Sequence, residues 1–547
     1  MRVSADLRRR PPAVGQRLVT LADDLLVGAR LLSRMPGWLN RPVGLLEARA
    51  ALSERLRQRA ETFLAIARRG IFAHPERPYA RLFALAGCEF GDLERLVNHD
   101  GLEGALATLH RQGVYLTVEE LKGRGPITRG SASFELASHQ LRNPLVGGDI
   151  VLHSGGSRGL RTPVPVVLDF LRDRAVDQLI EIEARGAAGW RHAIWTVPGG
   201  MPLALILWYS AAGQRVDRWF LQADPGGAGL PSRYLWAQRL LRLGGLLSRV
   251  ELPEPMWAPI DDPLPVARWM AACLEGGETP HLWSFPTSVV RLCRAAEAAG
   301  LKLRGAQFTV SGEPLTASRV AAIDRVGAKV AGVYGTAETY AIGLSCQTPE
   351  VADDMHVVSD LVALIQAGSD GEVTGFSPGA LLVTTLRPTA PMLLINASLG
   401  DQGRLDERAC GCPLGAVGWT RHVREVRSSE KLTAGGVTFL DLDIAAVLDD
   451  VLPARFGGGP ADYQIVEEEG VDGQPRLTLL ADPRLGPLDE GDLAEAFLGA
   501  IARIGDSERV AQLQWRRAGW LEVRRERPNP TQAGKVLHLH SRRGLPR

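Results

Sequence analysis

The stretch AQFTVSGEPLTASRVAAIDRVGAKVAGVYGTAE, residues 306–338, decides the fold. Residues 306–310 form a short apolar run that reads as a strand, 318–326 read as an amphipathic helix, and 329–333 read as a second strand ending at Tyr334. Just upstream, 289–300 read as another helix. Strands alternating with helices argue for α/β layers. The polar segments Ser311-Gly312-Glu313-Pro314 and Tyr334-Gly335-Thr336-Ala337-Glu338 then fall at carboxyl ends of strands, where open α/β sheets bind ligands.

The same texture runs outward from about residue 144, as where the turn Pro163-Val164-Pro165 is followed by a helix over 166–185. Ahead of it the chain looks mainly helical. Residues 43–70 carry Leu46, Leu52, Leu56, Phe63 and Ile66 near helical spacing with Gly70 placed as a stop, and 101–113 repeat the pattern with Leu102, Leu106 and Leu109. No compact polar cluster sits there, so this region reads as packing or lid.

Composition narrows the function. A chain of 547 residues, 45% hydrophobic and 23% charged, fits more than one globular domain. Lys and Arg number 63 against 62 Asp and Glu, so no global field favours nucleic acid or an anionic membrane. The basic residues Arg524, Arg525, Arg527, Lys535 and Arg542 lack interleaved stacking aromatics. No apolar leader follows Met1, and the apolar stretch 203–208 is too short to span a bilayer. Six cysteines in so long a chain make no disulfide framework, and a reducing cytoplasm is the simpler expectation.

Three further polar segments carry chemistry. Ser154, Gly155, Gly156, Ser157, Arg158 and Gly159 follow the apolar residues 150–152; the glycines let backbone amides approach an anion and the serines add donors, although a solvated turn reads as well. The spacing is neither a Walker A loop nor a dinucleotide fingerprint. Asp401, directly after Gly400, is a short acceptor suited to a diol. Lys535 follows Thr531-Gln532-Ala533-Gly534, a turn that can present an ammonium. Separately, Cys346, His356, Cys410 and Cys412 can complete a tetrahedral metal site, with independent buried thiols as the alternative.

In this order the segments resemble the adenylate-forming superfamily, the AMP-binding acyl-CoA synthetases, and most closely its phenylacetate-CoA ligase-like branch. The resemblance implies an α/β fold: a large N-terminal α/β domain of layered sheets and helices, and a small mobile C-terminal α+β domain. It places a helical extension at 1–75, an ATP- and acyl-binding adenylation domain at 76–420 and a hinged domain at 421–547. Ser154 to Gly159 would then close on the ATP phosphates, with Arg158 where relatives carry Thr or Ser. Gly312, Glu313 and Pro314 would line the adenine edge, Tyr334 and Gly335 hold adenine, and Asp401 take the ribose hydroxyls. Glu338 would hold Mg²⁺, Thr336 would supply the hydroxyl that Ala337 lacks, Arg427 would contact nucleotide beside the pivot at Ser429, and Lys535 would be the catalytic lysine. Trp283, Phe285 and Ser288 would line the acyl pocket, and the Cys346, His356, Cys410 and Cys412 set would hold a structural Zn²⁺. The implied activity is ATP-dependent, AMP-forming ligation of an aryl or arylacetic acid to coenzyme A. Two alternatives stay open: transfer to an amine or a carrier-protein thiol, and a non-catalytic nucleotide-binding relative suggested by Ala337, Arg161 and Ser429.

Overall fold

The computed structural model describes residues 28–541 apart from 124, 148–149, 154–162, 187–188, 223–231, 368–375, 377–378, 429–430, 433–438, 441–443, 445–446, 460–461, 471, 473, 505 and 530–538. Helices lead, with limits that differ from those the leucine spacing predicts. Leu45–Arg57 and Arg59–Ala67 run into a π turn, Arg68–Phe72, that contains Gly70. Gly70 therefore ends nothing. A β-carbon there would stand 2.6 Å from Leu393 Cδ1, so the glycine admits a close approach of that segment. Likewise Phe90–Arg111 is one element broken at Gly101, whose φ of +71° kinks it where the sequence reading began a helix.

Buried ions tie these helices to the rest of the chain. Arg55 donates to Asp173 at 2.5 Å and to Asp360 at 3.4 Å, Arg387 reaches Asp173 at 3.2 Å, and Trp419 Nε1 donates to Asp360 at 3.1 Å. Deep burial, with the Asp360 charge close by, holds the Asp177 carboxyl well above the usual carboxylate range despite its 2.5 Å bond from Arg174.

β1 (Ile127–Arg129) and β2 (Ala132–Phe134) form one hairpin, β3 (Ile150–His153) and β4 (Pro163–Val166) another. The next strands are β5 (Arg191–Thr196), β6 (Val216–Leu221), β7 (Pro255–Trp257), β8 (Pro280–Ser284), β9 (Gln307–Ser311) and β10 (Lys329–Tyr334). They pair in parallel in the order β7-β6-β5-β8-β9-β10. An antiparallel half comes next: β11 (Gly343–Ser345), β12 (Met355–Val357), β13 (Val362–Gln366), β14 (Ala380–Thr385), β15 (Ala397–Glu407) and β16 (Arg421–Ser428), continuing the same 12-stranded sheet from β10 as β11-β12-β16-β15-β14-β13.

Both faces of the parallel half are buried, and β5 shows how. Ala193 and Trp195 join the core beneath helices Leu264–Glu275 and Pro286–Ala298, while Ile194 between them joins the opposite core with helix Gly200–Ala211. Alternate side chains point to opposite faces, so a strand covered on both sides reads as a continuous apolar run.

A hairpin, β17 (Lys431–Leu432) with β18 (Phe439–Leu440), precedes a separate four-stranded sheet. That sheet holds β19 (Tyr463–Glu469), β20 (Pro475–Ala481), β21 (Leu521–Arg524) and β22 (Leu539–Ser541) in the order β21-β20-β19-β22. Ile465, Leu477, Leu479, Phe497, Ile501 and Trp515 form its own core against helices Glu490–Ile504 and Asp506–Ala518. Among the described residues no helix is long and apolar enough to cross a membrane.

The register of β5 on β8 sets two histidines opposite each other, their rings meeting edge-on. His192 Nδ1 and His281 Nδ1 lie 3.0 Å apart, and His281 Nε2 is 2.8 Å from Thr309 Oγ1. One proton serves the Nδ1 pair, and burial drives the His192 pKa down to about 4 and that of His281 well below its usual value. An unfolded histidine titrates near pH ~6.5 and the folded pair lower, so the native state takes up fewer protons as acid is added. The stabilisation is complete above about pH 6.5 and is lost as pH falls from there toward about 4. Thermal melts across that window should show a falling midpoint, and His281→Gln should flatten the fall; an unchanged slope in the variant removes the pair as its source.

Candidate active site and metal-ligating cluster

β10 is the strand where the parallel half meets the antiparallel half, and the chain doubles back directly after it to pair Tyr334 with Gly343 of β11. Tyr340 N donates to Thr336 O and Ile342 N to Tyr334 O, both at 2.7 Å. The return is tight enough that a β-carbon on Gly335 would lie 1.6 Å from the Tyr340 carbonyl oxygen. Tyr340 itself sits at φ +63°, a costly conformation for an aromatic residue. Within the loop Thr336 Oγ1 and Thr339 Oγ1 stand 3.1 Å apart, and the Glu338 carboxylate, 5% exposed, accepts from Lys122 Nζ at 3.0 Å.

Asp401 reaches the same place from β15, four positions away in the strand order. The β15–β16 register shifts between Gln402 and Arg404, directly after Asp401. Tyr334 Oη donates to Asp401 Oδ2 at 3.1 Å, and burial together with the Asp401 charge holds the Tyr334 phenol well above its ordinary range. Arg427, on β16, donates to Asp353 at 2.6 Å, and Val426 N meets the same carboxylate at 3.0 Å.

At the end of neighbouring β9, Gly312 turns with φ +85° and Pro314 O accepts from Arg319 at 2.7 Å. The Glu313 carboxylate is engaged by Arg319 at 3.1 Å and by the Thr287 hydroxyl at 2.8 Å. Arg319, 1% exposed, continues to Glu469 of β19 at 3.5 Å, joining this segment to the smaller sheet. Trp283, Phe285 and Ser288 are buried near the junction of β8 with helix Pro286–Ala298, and Gln222 donates to Ser288 Oγ at 2.9 Å. Ser154 to Gly159, Ser429 and Lys535 lie outside the described residues.

A second constellation gathers just after β11, on β12 and in the loop after β15. His356 Nε2 is 3.1 Å from Cys412 Sγ and 3.6 Å from Cys410 Sγ, and the Cys346 and Cys412 sulfurs are 3.9 Å apart. Donors placed tetrahedrally around a zinc-sized ion stand roughly 3.6 to 3.8 Å from one another, so the set fits such an ion. His356 Nδ1 is 2.5 Å from the Trp419 carbonyl, which fixes the tautomer and leaves Nε2 as acceptor toward the thiols. Burial drives the Cys346 thiol up to about 11 and His356 down to about 4. Burial also acts to raise Cys410, but hydrogen bonds from the Cys412 backbone and the neighbouring thiols bring it down to about 7.

The sequence reading missed three participants. His422 brings a ligand atom within 4.8 Å of those of Cys346, His356 and Cys410, with Nδ1 held 2.6 Å from Asp354. Only its register opposite His356 in the β12–β16 pair reveals it. Lys122 and Arg319 belong to no motif, and a contact across the fold is their sole signal.

No family model and no curated protein sequence matches the chain. Among solved structures it is similar to 2-hydroxyisobutyryl-CoA ligase in complex with 2-HIB-AMP and CoA in the thioesterification state, at 14% identity and TM-score 0.52 over 91% of this chain and 90% of that one. An amide bond synthetase from Marinactinospora thermotolerans matches at 16% identity and TM-score 0.41 over 88% and 92% of the two chains. The o-succinylbenzoate CoA synthetase of Bacillus subtilis matches at 14% identity and TM-score 0.41 over 75% and 72%. The first likeness, spanning nine tenths of both chains, gives this protein the fold of the adenylate-forming ligases.

Proposed function

We propose that the chain is an ATP-dependent, AMP-forming carboxylate ligase that transfers its acyl group to coenzyme A, with an aryl or arylacetic acid as substrate. The carboxylate attacks the α-phosphorus of ATP and the bond to the β-phosphate breaks, releasing pyrophosphate. A thiolate then attacks the acyl carbon and AMP departs. The observation that carries this reading is the 3.1 Å bond between Tyr334 and Asp401 at the carboxyl end of β10. It joins a ring on which adenine can pack to a carboxylate able to accept from ribose hydroxyls, four residues ahead of Glu338. The fold likeness supports the same assignment.

In this reading Thr336 meets the α-phosphate, Gly312 to Pro314 border the base, Arg427 contacts nucleotide, and Ser154 to Gly159 receive the departing phosphates. Lys535 offsets the charge that grows on the α-phosphate. Magnesium, held by Glu338, supplies charge neutralisation at the phosphates. Residues 76–420 form the adenylating part, 421–547 the hinged part and 1–75 an extension, and the reaction runs in the cytoplasm. Cys346, His356, Cys410 and Cys412 hold a structural zinc ion.

Acid-dependent exchange of pyrophosphate into ATP, over aromatic, aliphatic and amino acids with and without coenzyme A, tests the reading. Exchange with aromatic acids and consumption of free coenzyme A are the expected results; silence with every acid overturns it. Lys535→Ala should lower exchange by about 10² to 10³-fold while ATP binding persists, in line with loss of one preorganised charge. Equal activity removes that role. Cys412→Ser should lower zinc content and melting temperature together, and a folded wild type free of zinc ends the zinc assignment.

A further inference from the structure

Helix Ser232–Ser248 buries Leu241, Gly244, Gly245 and Ser248, a stripe at i, i+3, i+4 and i+7 that faces the fold. A β-carbon on Gly244 would collide with Met35, and one on Gly245 would stand 2.9 Å from the Val250 carbonyl oxygen. The helix over residues 28–39 and the chain returning after Ser248 therefore clamp this inner face, and Asn40 Nδ2 adds a bond to Ser248 O at 3.2 Å. The outer face is held rigidly. It presents Leu243, Leu246 and Leu247, again at i, i+3 and i+4, at 43%, 70% and 56% exposure. Five of the seven large apolar side chains exposed among the described residues fall between 243 and 257, the remaining two of the five being Met256 and Trp257 of the edge strand β7. Single exposed leucines are ordinary, but a stripe of them marks a contact surface.

Charge around the stripe says what covers it. Arg239, exposed on the same stripe, stands one turn ahead of Leu243. Glu251 stands past the other end, where Val250 N bonds to Gly245 O at 3.0 Å and the chain turns back. The Glu251 carboxylate is 78% exposed and reaches Arg215 at 2.8 Å, a surface pair that is cheap to exchange. An anionic membrane would meet Glu251 and Glu254 together with the arginines, whereas a face basic at one end and acidic at the other complements itself after a half turn. We infer that a second copy of this chain docks here, the two leucine stripes packed antiparallel about a twofold axis near Leu246, with Arg239 of each copy set against Glu251 of its mate. The stripe is short, so the association is reversible, with a dissociation constant on the order of micromolar.

Sedimentation equilibrium of the full chain, over concentrations spanning the micromolar range, tests this. Wild type should move from 59.1 kDa toward twice that mass as concentration rises. Leu246→Glu should raise the dissociation constant by about a hundredfold, because two carboxylates would then be pressed against leucines. Arg239→Glu and Glu251→Arg should each raise it about tenfold, since like charges replace opposite ones at both ends of the contact. An equimolar mixture of those two variants should associate at least as well as wild type, because opposite charges meet again at both ends of the mixed pair. All three positions are exposed, so melting midpoints of the dilute variants should stay at the wild-type value. A wild type that remains at 59.1 kDa throughout, an oligomer that Leu246→Glu leaves intact, or a mixture no better associated than its components overturns the inference. So does a monomeric wild type that cosediments with phosphatidylglycerol vesicles and loses that binding in Leu246→Glu, which would give the face to a membrane.

Discussion

The space denied to a side chain at Gly335 is the constraint on which the site depends. Because the backbone returns within contact of itself there, the loop that carries Glu338 is folded back onto Tyr334 by the Tyr340 and Ile342 amides. The left-handed Tyr340 that makes the return possible costs about 1 to 3 kcal/mol, and it persists because its ring is wedged against Phe170 and Trp208. Strain at one residue is thus held by packing at two others. The geometry of the loop after β10 depends on that exchange.

Charge is handled in the same economical way across the molecule. Asp173 receives Arg55 and Arg387, Glu313 receives Arg319, and Glu338 receives Lys122. The Asp173 and Glu338 carboxylates draw their cations from distant parts of the chain, whereas Glu313 takes Arg319 from the following helix. Such pairs contribute little net stability compared with well-packed apolar residues, but removing one partner leaves a charge stranded. They therefore fix which segments must lie together more than how tightly the chain folds.

Much of the parallel half was legible in the sequence. Residues 306–338 alternate between strand and helix patterns with polar breaks, and β9, helix Ala317–Asp324 and β10 lie within one or two residues of the expected limits. Local periodicity suffices where neighbours in sequence are neighbours in space. The antiparallel half obeys another rule. Asp401 meets Tyr334 from a strand four places away in the sheet, and His422 meets His356 only across a strand pair, so no spacing along the chain announces either contact. Gly70 was misread for a related reason, since what it makes room for is Leu393, more than three hundred residues on.

Polar pairs cross the seam between the smaller sheet and the rest of the protein. Arg319 and Thr316 meet Glu469, Gln474 donates to the Thr287 carbonyl, and Arg294 pairs with Asp472. Every one of those groups would be welcomed by water if the surfaces parted, whereas Ile260, which packs into the core of the smaller sheet, would be the apolar part of the seam to be uncovered. Added salt would loosen the exposed pairs first, whereas the almost fully enclosed Arg319 would be the last contact to feel it. A boundary of this kind separates by wetting, in the manner of a gasket, and can reseal in register because guanidinium and carboxylate meet in few geometries.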